Sequence, residues 1–150
     1  MSEAINFQHQ SPATIVILLI ATCTIYYFVL LYQWITAVNL ASSKPKLDPA
    51  IAIILTIVTC GLASIYFEYE VAERIEKIIQ EKKANGTLRN DGMAPPLNNL
   101  KGLVLFGSLG ALAVSAFSAG CLSVLALIFL IWLSCAVQYA IEYALDTPQE

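Results

Sequence analysis

Charged side chains are missing from long stretches of this chain, and those stretches are rich in Leu, Ile, Val and Ala. No Asp, Glu, Lys or Arg occurs over residues 4–43 or 102–141, and between Asp48 and Glu68 only the two ends are charged. A membrane-crossing helix needs about 20 mostly apolar residues. The pattern predicts an all-α membrane protein, a single membrane domain with four transmembrane helices over residues 13–39, 49–67, 102–118 and 121–141.

The composition agrees with this prediction. Hydrophobic residues make up 58% of the chain, charged residues 13%, and the mean hydropathy is +0.71. Soluble domains carry about a quarter charged residues. We therefore expect the lipid bilayer to surround the protein, and we expect no nucleic-acid partner.

Local sequence predicts where these helices begin and turn. Ser11-Pro12 and Asp48-Pro49 each place a capping side chain before a proline, which suits the first turn of a helix. The uncharged run from residue 102 is about twice as long as one crossing needs, so it must fold back. The small residues Ser118-Ala119-Gly120-Cys121 are the predicted turn.

The second span is predicted to continue as a cytoplasmic helix, followed by a loop, over residues 68–101. Two opposite-charge pairs four residues apart support the helix, and Asn85-Gly86 should end it. The pairs are Glu70 with Arg74 and Glu73 with Lys77. One face carries an apolar stripe that either docks a partner helix or the membrane surface, or packs on the chain's own neighbours. The stripe consists of Val71, Ile75, Ile78 and Ile79.

The distribution of Lys and Arg predicts the orientation, because positively charged short loops tend to stay in the cytoplasm. The segment 68–101 holds six of these residues, the first loop holds only Lys44 and Lys46, and the termini hold none. We expect both termini to be cytoplasmic in a multi-pass protein of the bacterial inner membrane. The first ten residues lack the features of a cleavable signal, so the first span should be retained.

An internal alignment suggests a duplication of the first two spans. The stretches ATCTIYYFVLLY (21–32) and VTCGLASIYFEY (58–69) align without gaps. Identical residues fall at Thr22 and Thr59, at Cys23 and Cys60, and at Tyr32 and Tyr69.

The same stretches carry a family resemblance. They follow a Thr-x-Gly-Ile-Tyr-x-x-Tyr-Trp-x-Tyr pattern that occurs twice, through Thr22, Ile25, Tyr26 and Tyr32 and then through Thr59, Gly61, Tyr66 and Tyr69. With the final stretch AVQYAIEYAL, the chain resembles the domain-of-unknown-function family 4234 of small bacterial and archaeal membrane proteins. It departs from the pattern at several positions, among them Thr24 for the first glycine and Leu30 and Phe67 for tryptophan. The resemblance implies the architecture and brings no established activity.

We expect no catalytic, cofactor or metal site. His9 is the only histidine and lies in the polar N-terminal segment, where no neighbouring residue resembles a second metal ligand. Cys23, Cys60, Cys121 and Cys135 have no C-x-x-C spacing and are interpreted as small apolar residues.

Two groups of residues are candidate contact sites. A polar cluster at the cytoplasmic ends of the helices would be either a binding spot or a set of solvated helix ends, and it consists of Glu68, Tyr69, Gln138 and Glu142. A small-residue ridge on the third span would let a helix of the same chain or of another chain approach closely. The ridge consists of Gly107, Gly110, Ala111, Ser115 and Ala119.

These features predict a non-enzymatic membrane interaction protein. It would be an accessory or scaffold subunit of a membrane assembly, joined to other membrane proteins or to copies of itself. The alternative is a small oligomeric channel or transporter, for which the spans offer only mild polar groups such as Ser and Thr hydroxyls.

Overall fold

The computed structural model describes residues 11–21, 25–88, 94–117 and 121–145. These residues form helices and no strand, so the all-α class is confirmed for them. The helices are α1 (Pro12–Ala21), α2 (Ile25–Ala41), α3 (Pro49–Val58), α4 (Leu62–Ala84), α5 (Leu100–Phe117) and α6 (Cys121–Leu145).

The predicted helix boundaries at capping residues are confirmed. Asp48 accepts hydrogen bonds from the backbone N–H groups of Ala50 (2.9 Å) and Ile51 (3.3 Å), with Pro49 in the first turn. Ser11 likewise accepts a 3.3 Å bond at the start of α1. At the end of α4, Gly86 adopts φ +65°, a conformation that glycine takes without strain.

The second predicted span, residues 49–67, is not one helix. It breaks at Thr59-Cys60-Gly61, where Cys60 has φ +52° and Gly61 has φ +92°. The N–H of Gly61 bonds to the carbonyl of Thr56 (2.7 Å) and that of Cys60 to Ile57 (3.1 Å), the pair of bonds that closes a Schellman motif. The backbone at this point is therefore the normal end of a helix rather than a kink.

Past this break the chain reverses direction, which corrects the predicted topology. The guanidinium of Arg74 donates to the carbonyl of Pro45 (2.9 Å), and Lys44 lies 3.2 Å from the carboxylate of Glu73. A continuous helix from 49 to 74 would separate its ends by roughly 37 Å, so these contacts require α3 and α4 to form a hairpin. We call the Thr59–Gly61 end the tip and the end that holds Lys44 and Arg74 the base.

The duplication seen in the sequence recurs in the helix boundaries. α1 and α3 both begin at a proline and contain ten residues, and α2 and α4 begin at Ile25 and Leu62. Each boundary of α1 and the start of α2 are displaced by 37 positions from their counterparts in α3 and α4, as Pro12 is from Pro49. Residues 22–24 lie outside the described residues. The boundaries of α1 and the start of α2 therefore recur in α3 and α4, as a duplication would produce.

The last two helices correspond to the third and fourth predicted spans. α5 runs antiparallel to α4, since the N–H of Lys101 bonds to Glu76 (3.1 Å) while Ser108 reaches Glu68 (3.3 Å). α6 returns toward the base, where the hydroxyl of Tyr139 bonds to the carbonyl of Ala94 (2.7 Å). Of the predicted turn over residues 118–121, Cys121 is the first residue of α6, and residues 118–120 lie outside the described residues.

The core lies where α2, α4, α5 and α6 meet. Val71 and Ile75 are 0% and 1% exposed and Ile78 is 5% exposed, so most of the apolar stripe packs inside the chain and offers no free surface to a partner. Ile79 is partly buried against the same core. Other fully buried side chains are Leu30, Leu31, Trp34, Ile35, Val104, Val137 and Ile141.

Among the described residues, one stretch is long and apolar enough to cross a membrane by length and composition: the 22 residues of Val124–Leu145. α2, α3 and the first part of α5 are apolar but shorter. Four crossings are therefore not confirmed.

Candidate functional site

A buried carboxylate lies between three helices. Glu68 on α4 is 9% exposed, and it accepts hydrogen bonds from the hydroxyl of Tyr27 on α2 and from that of Ser108 on α5 (3.3 Å). Burial of a carboxylate is costly unless hydrogen bonds replace water. These two hydroxyls supply that replacement, and each bond ties a different helix to α4.

A second buried polar group lies between α2 and α6. The indole N–H of Trp34 donates to Oε1 of Gln138 (2.7 Å), and Nε2 of Gln138 donates to Glu142 (3.0 Å). Gln138 is 2% exposed and Glu142 7%. The ring of Tyr27 meets that of Trp34 edge-on, with 6.4 Å between centroids, so the two polar groups adjoin through aromatic contact.

The predicted polar cluster is thus divided between these two groups. Gln138 and Glu142 bond to each other, whereas Glu68 turns toward Tyr27 and Ser108. All three are buried, so they are not solvated helix ends. Tyr69 is half-buried, and no hydrogen bond within the described part of the chain joins it to the other three.

A cavity of about 850 Å³ opens beside Glu68, near the tip. Within the described part of the chain, Glu68 is the only charged residue that lines it, and the helix break contributes Cys60 and Gly61 to its wall. Most of the remaining lining is apolar, from Ile25, Phe28, Ile57, Ile65, Leu112, Leu127, Leu130 and Ile131. The polar lining consists of Tyr27, Thr56, Ser64, Glu68, Ser108 and Ser134.

The hydroxyl groups on the cavity wall already donate hydrogen bonds to other groups of the protein. Thr56, Ser64 and Ser134 donate to the carbonyls of Ala52 (2.7 Å), Gly61 (2.6 Å) and Leu130 (3.0 Å) in the backbone near them. Tyr27 and Ser108 donate to Glu68. A hydroxyl that donates its proton keeps lone pairs. The polar lining therefore presents acceptors.

The small-residue ridge faces in two directions. A Cβ added at Gly107 would lie 2.8 Å from the ring of Phe129 on α6, and Ala111 is 7% exposed, so this half seats α6. Gly110 points away from the chain, since an added Cβ would meet no atom within 4 Å. The side chain of Ser115 and all of Ala119 lie outside the described set.

The base carries the ion pairs. The predicted Glu70–Arg74 and Glu73–Lys77 pairs are confirmed, at 3.0 and 2.6 Å. Hydrogen bonds from Lys77 and from Lys44 hold the pKa of the Glu73 carboxyl below its usual value. Lys44 thereby joins the α2–α3 connection to α4.

The chain also matches a known family. The profile of the family described as a domain of unknown function, DUF4234, matches residues 10–77 and again residues 47–141. The chain belongs to this family. The two DUF4234 matches begin 37 residues apart, each two residues before the proline that begins α1 or α3. No curated protein and no solved structure matches the chain.

Sequence reasoning did not pair Glu68 with Tyr27 or Ser108, nor Gln138 with Trp34. The repeat held a signal for one of them, because Tyr27 and Ser64 occupy equivalent positions in the two copies and both line the cavity. Among the cysteines, Cys60 is exposed at the tip and Cys135 is half-buried, both as free thiols. His9 and Cys23 lie outside the described residues, as does the side chain of Cys121.

Proposed function

We propose that this DUF4234 protein is a non-enzymatic interaction protein embedded in the bacterial inner membrane, where it serves as an accessory or scaffold subunit. The supporting observation is the large apolar surface that the described helices expose, together with a few polar groups buried within an otherwise apolar core. Buried positions include Glu68, Gln138 and Glu142, while large apolar side chains are exposed on the helices near the tip. Exposed apolar surface of this extent is typical of a membrane or protein contact. Examples are Ile54, Ile57, Val58, Phe106, Val124, Leu125, Leu127 and Ile128.

We propose an arrangement that replaces four crossings with helical hairpins inserted from one side. The tip lies in the apolar layer, α5 and α6 form the crossing pair, and the base faces the cytoplasm with both termini. All eight Lys and Arg residues lie in the α2–α3 connection or in the sequence from Arg74 of α4 to Lys101 of α5, and the hairpin brings the described ones to the base half of the protein. This placement follows the positive-inside rule more completely than the four-span topology does.

The surface proposed for assembly is the notch at Gly110. In lipid, helices associate where small residues let backbones approach closely. Gly110 is exposed and its neighbour Phe106 is 74% exposed, so the notch faces outward with a large side chain beside it. The occupant is another membrane protein or a second copy of this chain.

Gly110→Leu tests the proposal. A leucine there fills the notch, so the mass measured in mild detergent should fall to that of the monomer, with association weakened about tenfold or more. The control is Ala116→Leu, which adds bulk to an exposed position on another face of α5. An unchanged assembly in Gly110→Leu would remove the notch from the proposal, and a monomeric wild-type protein without companions would oppose the scaffold function.

A small oligomeric channel or transporter is the second candidate. The observation that favours it is the helix break beside the cavity, because transporters commonly place broken helices at their binding sites. Against it, the polar groups that line the cavity are few, and a conducting pathway needs polar groups along its whole length.

Reconstitution into sealed liposomes distinguishes the two functions. We expect no flux of Na⁺, K⁺ or H⁺ above that of protein-free liposomes. Flux that the wild-type protein supports and Glu68→Gln abolishes, with Glu76→Gln as the control carboxylate outside the cavity, would contradict the scaffold function and establish the second candidate.

A further inference from the structure

We propose that the cavity beside Glu68 binds a lipophilic amine, an apolar molecule that carries one protonated ammonium group. This ligand goes beyond the scaffold function, and its route of entry rests on the membrane placement proposed above. The cavity volume of about 850 Å³ falls within the range of small-molecule pockets, about 300–1,000 Å³.

The charge of the cavity selects a cation. Of the residues that the structure describes, Glu68 is the only charged one in the lining, so no Lys or Arg among them neutralises it there. Each oxygen of the Glu68 carboxylate accepts one hydrogen bond, from Tyr27 or from Ser108. A carboxylate accepts about four, so two acceptor positions remain for a ligand.

The hydrogen-bonding character of the lining narrows the choice to a donor. The hydroxyls of Thr56, Ser64 and Ser134 give their protons to backbone carbonyls, so they offer only lone pairs to the cavity. An ammonium group is the complementary ligand, with up to three donors and no acceptor. A neutral amide would bring a carbonyl acceptor, and the hydroxyls of the described lining have no proton left to donate to it.

The rest of the cavity requires an apolar body. Its wall is mostly aliphatic, with Phe28 as an aromatic face that a cation can also approach. A bare metal ion would leave that space unfilled. A phospholipid would bring its phosphate close to the Glu68 carboxylate, and the described lining has no Lys or Arg to neutralise that phosphate. The occupant is therefore a small amine rather than a zwitterionic lipid.

The mouth of the cavity indicates how such a ligand arrives. Ile25, Ile57 and Leu127 line the cavity and are each more than half exposed, on the same apolar surface that we place in the bilayer. An amphiphilic amine concentrates in that layer by its apolar body. Entry is therefore lateral and needs no aqueous path.

The test uses the full chain in nanodiscs of a neutral lipid and a fluorescent long-chain primary amine, with its N-acetyl amide as the uncharged match. Empty nanodiscs correct for partition into lipid. We expect the wild-type protein to bind the amine about ten- to a hundredfold more tightly than the amide, the range of a charge-assisted hydrogen bond. Glu68→Gln should abolish that preference, and Glu76→Gln should leave it unchanged.

A second variant keeps the test decisive if Glu68→Gln does not fold. Leu127→Trp fills the mouth at an exposed position and should weaken both probes about tenfold, whereas Leu125→Trp, equally exposed but outside the lining, should weaken neither. Equal binding of amine and amide to the wild-type protein overturns the proposal. So does indifference to Leu127→Trp, or displacement of the amine by phosphatidylethanolamine at equal concentration.

Discussion

Single cysteines introduced at Ser43 and at Asn85 are expected to react with a membrane-impermeant maleimide from the same side of the membrane. The α3–α4 hairpin brings the α2–α3 connection to the base, where Lys44 pairs with Glu73 and Arg74 bonds to Pro45. Asn85 directly follows α4, at the end of this helix that lies away from the tip. If residues 49–67 crossed as one helix, these two positions would lie on opposite sides.

The measurement needs sealed vesicles of known orientation and a background without Cys23, Cys60, Cys121 and Cys135. The native Cys60, restored alone, provides the internal control, because it lies at the tip. It should not react from the side on which Ser43 and Asn85 react. Opposite labelling of Ser43 and Asn85 would restore the single crossing and rule out the hairpin.

Gln138→Leu is expected to lower the free energy of unfolding by about 2–4 kcal/mol. The substitution keeps a similar volume, but it leaves the buried indole N–H of Trp34 without its acceptor and removes a donor from Glu142. An unpaired buried polar group costs about 1–3 kcal/mol, and more when the group is charged. SDS titration in mixed micelles, followed by circular dichroism, measures the change.

Two comparisons separate this loss from a general effect of substitution. Gln80→Leu, at an exposed position of α4, should change stability by less than about 0.5 kcal/mol. Trp34→Phe removes the orphaned donor, so the double variant should be about 1 kcal/mol more stable than the sum of the single effects. Strict additivity would show that the Trp34–Gln138 bond does not stabilise the core.

Helix beginnings were predictable because their signals are local. Asp48 caps α3 through backbone groups two and three residues away, and Gly86 ends α4 through its own backbone conformation. The Glu70–Arg74 and Glu73–Lys77 pairs are equally local, since residues four apart share a helix face. Each prediction needed only neighbouring residues.

The break in the second span was not predictable in the same way. Thr59-Cys60-Gly61 lies inside an apolar run, and Cys60 stands where a Schellman motif usually has glycine. The hydroxyl of Thr59 accepts from the N–H of Ala63 (2.9 Å) while it donates to Leu55 (2.7 Å), so one side chain serves both helix ends. The periodicity and hydropathy of the sequence do not reveal these two hydrogen bonds of Thr59.

The candidate site depended on contacts distant in sequence. Tyr27 and Glu68 are 41 residues apart, and Trp34 and Gln138 are 104 apart. The predicted straight span over residues 49–67 placed Glu68 at its end, where water would reach the side chain. The hairpin instead turns that position inward against α2 and α5, which accounts for both its burial and the cavity beside it.

Under the proposed membrane placement, the sequence of the tip has a consequence for how the chain would enter the bilayer during synthesis. Thr59, Cys60 and Gly61 carry no charge, and neither do residues 22–24 or 118–120 between the other paired helices. A hairpin with such a turn can move into the apolar layer tip first, with its hydrogen bonds already formed and no ionised group transferred across. In that arrangement the α3–α4 hairpin would be an independent unit of insertion, and a duplicated pair of this kind could be added to an ancestral chain without reversing the orientation of the helices after it.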